Sequence, residues 1–78
     1  MTKRDLQFLI ESIASELAKM LMKEYGWGLE KAMEVLYQSE TFKKVEDERS
    51  GLFYQSDFYI FQFLKEEIDT TLAPHKVA

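Results

Sequence analysis

From Leu6 onward, apolar side chains return at Leu9, Ile10, Ile13, Leu17, Met20 and Leu21. At 100° per residue they share an arc of about 120°, the stripe by which an amphipathic helix seats on a core. Thr2, followed three positions on by Asp5, has the form of an N-terminal capping box, and Gly26 can take the left-handed conformation that ends a helix. Glu16, three residues before Lys19, adds an exposed pair on the polar side. After Trp27 and Gly28 the spacing restarts with Leu29, Ala32, Met33 and Leu36, which predicts a second, shorter helix ending near Ser39. So short a link favours an antiparallel or steeply crossed hairpin, with Trp27 at the corner covering the end of the core.

Ser39 can cap a short helical turn through Phe42 and Val45, while the charged run from Glu46 to Gly51 reads as an exposed loop. The last apolar segment is open to two readings. Phe58, Ile60 and Leu64 alternate with Tyr59, Phe61 and Phe63 as a strand would require. Ser56 with Asp57 forms a cap, however, and Lys65, Glu66 and Glu67 extend the segment with strong helix formers, so helix is preferred. Its stripe is Ile60, Phe61, Leu64, Ile68 and Leu72, and Pro74 stops it. The expected fold is all-α, a small bundle of three main helices plus a short connecting helical turn. Residues 1–72 form the single domain and residues 73–78 a flexible C-terminal tail. The expected centre is Leu9, Ile13, Leu17, Met33, Leu36, Ile60, Phe61 and Leu64.

Composition restricts the chemistry. The chain has no cysteine, so no disulfide or thiolate metal site holds a fold of 78 residues together. Its one histidine, His75, falls in the expected tail without a complementary ligand or base, which argues against a transition-metal site and against a nucleophile activated by histidine. Glu46, Asp47 and Glu48 lack the spacing of a calcium loop, and Gly26 and Gly28 lack the third glycine and preceding strand of a phosphate loop. Glu30 with Glu34, and Glu66 beside Glu67, read as exposed polar faces rather than acid and base pairs. No enzyme activity and no cofactor are expected. A net charge of −4 has the wrong sign for a nucleic-acid binder. No charged-then-apolar leader and no membrane-length apolar run are evident, so a cytoplasmic location away from membranes is expected.

The aromatic content points elsewhere. Residues 53–63 hold six of the eleven aromatic side chains, which implies either a ring-rich core or a surface made for a partner. Phe8 and Met22 fall opposite the first helix's core stripe, either as isolated exposed apolar residues or beneath another surface. Tyr59 and Phe63 lie off the last helix's stripe and are expected to be covered as well, since that helix is apolar on two faces. Phe8, Met22, Trp27, Tyr54, Tyr59 and Phe63 are therefore the candidate partner-binding residues. The function expected is a non-enzymatic protein-interaction module, engaging a second copy as a homodimer or another protein. The alternative is a small-molecule or peptide binder with an aromatic groove.

Two segments carry resemblances. YGWGLEKAMEVL, from Tyr25 to Leu36, resembles the glycine, aromatic, acidic, alanine and leucine pattern of ubiquitin-associated helical modules. The longer first helix and ring-rich last helix depart from that module, and ubiquitin binding is not carried over. LYQSETF at 36–42 and GLFYQSDFYIFQFL at 51–64, within a stretch from Leu6 to Ile68, resemble small helical proteins of anaerobic bacteria. Some of these are encoded beside ADP-ribosyltransferase-like toxins. That resemblance implies an accessory or antitoxin-like subunit and brings no catalytic residue with it.

Overall fold

The capping box and stripe at the start of the chain produce a long first helix, α1 (Lys3–Tyr25). The computed structural model describes residues 2–71. The Asp5 N–H donates to the Thr2 hydroxyl at 3.1 Å and the Thr2 N–H to the Asp5 carboxylate at 3.4 Å, so the helix start is satisfied from both directions. At the other end Gly26 takes φ 71° and its N–H donates to the Met22 carbonyl. A side chain there meets open space, so only backbone strain opposes it. Gly26→Ala is accordingly expected to cost about 1–2 kcal/mol, read as a lowered thermal midpoint.

Gly26 to Gly28 link α1 to α2 (Leu29–Gln38), and Ser39 then serves two helices at once. Its hydroxyl donates to the Leu36 carbonyl at 2.6 Å, closing α2, and accepts the Phe42 N–H at 3.0 Å, opening α3 (Glu40–Glu46). The expected connecting turn is thus a seven-residue helix that buries Phe42 and Val45 completely. Two single 3-10 turns follow, at Glu48–Ser50 and Leu52–Tyr54, separated by Gly51 at φ 70°. Ser50 fastens this loop by donating to the Lys44 carbonyl and accepting the Leu52 N–H. The last helix, α4 (Asp57–Thr71), starts where the Ser56 hydroxyl accepts the Tyr59 N–H. The fold is all-α, and the strand reading of 58–64 is overturned. Leu72, Pro74, His75 and the tail expected at 73–78 lie outside the described residues.

The core joins α1 to all three other helices, and the 52–54 turn packs on α1 and α3. Leu17, Leu21, Leu36, Phe42, Val45, Ile60 and Leu64 are its largest fully buried side chains. Two corrections follow for the expected centre: Leu9 and Met33 are only partly buried and flank it, whereas Phe42, Val45 and Phe53 belong to it. Ala14, Ala18 and Ala32 are also buried, small side chains that permit close helix approach.

Candidate interaction surface

One stripe of α4 faces inward, formed by Ile60, Phe61, Leu64 and Ile68 as the periodicity predicts. The rest of the helix is divided between polar contacts that bind it to its neighbours and rings that are about half or more exposed. On the flank toward α1, the Lys65 ammonium pairs with Glu24 at 3.2 Å and Asp69 at 3.4 Å, and the Tyr25 hydroxyl donates to Asp69 at 2.8 Å. Lys65 also lies over the Tyr25 ring, which stacks on Trp27 at 4.6 Å between centroids. Burial, followed by the Asp69 bond and the nearby carboxylates, pushes the Tyr25 hydroxyl well above its ordinary pKa.

On the flank toward α3, Glu67 reaches across to the first turn of that helix. Its carboxylate accepts the Glu40 N–H at 2.8 Å, the Thr41 N–H at 3.0 Å and the Thr41 hydroxyl at 2.8 Å. With Ser39 accepting from Phe42, each of the first three α3 amides has a side-chain acceptor. Partial burial pushes the Glu67 carboxyl up, but the bonds from Glu40 and Thr41 and the charge of Lys43 outweigh it and hold the group below the usual range. The expected reading of Glu67 as part of an exposed polar face is therefore corrected. It is a half-buried cap joining two helices.

Off the buried stripe α4 carries Phe58, Tyr59 and Phe63, which are 72%, 48% and 46% exposed, Phe58 on the α1 side of the helix and Phe63 on the α3 side. Tyr59 and Phe63 meet edge to face at 5.2 Å and are only about half covered by the described residues, where burial was expected. The physical reason is that α4 packs through one stripe, while Lys65 and Glu67 engage its neighbours on either side. Phe58 was not among the candidate residues. Its signal was available, since it lies 160° from Ile60 and well off the core stripe by helical spacing.

The other candidates separate. Phe8 is 71% exposed on α1, but Met22 is partly buried against the core, so the two do not form one exposed pair. Trp27 is partly buried at the α1–α2 corner, and Lys31 lies over its ring at 5.4 Å. Tyr54 is 71% exposed beside the buried Phe53 ring.

A groove of about 460 Å³ runs along the α3 side of α4, where Phe63 and Leu52 face Thr41, Lys44 and Glu67. A second, of about 640 Å³, runs along the α1 side between Phe58, Phe61 and Met20. Among the described residues no group of three or more potential ligands is placed to hold a metal ion, and no helix is long and apolar enough to cross a membrane. Neither a family model, nor a curated protein, nor a solved structure matches this chain.

Proposed function

We propose that this protein is a non-enzymatic protein-interaction module that engages its partner through the outer face of α4. The observation that carries this reading is the exposure of Phe58, Tyr59 and Phe63 on a helix whose opposite stripe is buried. Aromatic rings supply large contact area for little rotamer entropy, which is why they anchor protein interfaces. The partner is a second copy or a different protein. The resemblance to toxin-associated proteins adds a toxin encoded alongside the chain to the partners worth testing.

The experiment is co-purification from the native host, comparing the wild type with a Tyr59→Ala/Phe63→Ala double variant by mass spectrometry. The double variant is expected to lose about 2 kcal/mol of stability, about 1 for each half-exposed ring, and to stay folded, yet to lose its partner. Identical partners at identical yield for both chains would count against the proposal.

The α3–α4 groove favours a second reading, a small-molecule or peptide site, since its volume falls in the range of ligand pockets. Its polar anchor, Glu67, is already engaged by Glu40 and Thr41, which leaves less to orient a small ligand. Shifts in Thr41 and Phe63 resonances on addition of a metabolite panel would support this reading over the first.

A further inference from the structure

We draw no further inference here: the strongest candidate, the surface patch of Phe58, Tyr59 and Phe63 on α4, carries none because its rings are divided between the α1 and α3 sides of that helix and nothing in the structure shows what covers them.

Discussion

Phe42→Ala is expected to lower the free energy of unfolding by about 3–5 kcal/mol, as for large aromatic truncations in well-packed cores. Phe42 is 1% exposed and is the largest fully buried side chain of the molecule. It is carried by a helix of seven residues that is too short to be stable alone and that depends on what it buries. A domain of this length has roughly 4–12 kcal/mol in total, so the variant is expected to lose about a quarter of its stability or more. Urea denaturation followed by circular dichroism measures the loss directly. Tyr37→Ala is the control. Tyr37 touches the Phe42 ring edge-on at 5.1 Å but is half exposed, and its loss should cost only about 1 kcal/mol. A Phe42→Ala loss no larger than that of Tyr37→Ala would mean that α3 is not anchored in the core.

This central role of α3 was only partly legible in the sequence. The Phe42 and Val45 spacing and the Ser39 cap were readable, because both are local to a single turn. The weight those residues carry was not, since it depends on α1, α2 and α4 all meeting α3. Helices with a sustained stripe were legible nearly residue by residue. Ile60, Phe61, Leu64 and Ile68 are the buried residues of α4, as periodicity requires. Periodicity fails where tertiary contact widens the buried arc. Met22 lies opposite the α1 stripe yet is partly buried, because several elements pack around α1. It fails in the other direction at Tyr59 and Phe63, where a second apolar flank implied a second cover that the described residues provide only in part. Hydrophobic spacing identifies the residues off the stripe, but not whether another part of the molecule reaches them.

Glu67 shows the same limit for polar groups and yields the second large effect. Nothing local distinguishes it from Glu66, and its partners Glu40 and Thr41 lie 27 and 26 residues away in sequence. Glu67→Ala removes one acceptor group from three donors, of which the Thr41 pair is partly buried. The expected cost at pH 7 is about 1.5–3 kcal/mol, in line with hydrogen bonds to a charged acceptor. Glu67→Gln keeps a carbonyl oxygen and should recover part of the loss, whereas Glu66→Gln, on the exposed neighbour, should change little. The charge can be separated from the shape by pH. Because the folded state holds the Glu67 carboxyl below its unfolded pKa, its ionic contribution is present in full above about pH 4.3 and is lost as pH falls through the lower, folded value. The stability gap between wild type and Glu67→Gln, measured by urea titration at pH 7 and again near pH 2, should therefore shrink on acidification. A gap that stays constant would mean that the carboxylate charge contributes nothing to the cap. A gap that closes would show that α3, and with it the Phe42 anchor, is held in place by a charge on the helix that carries the exposed rings.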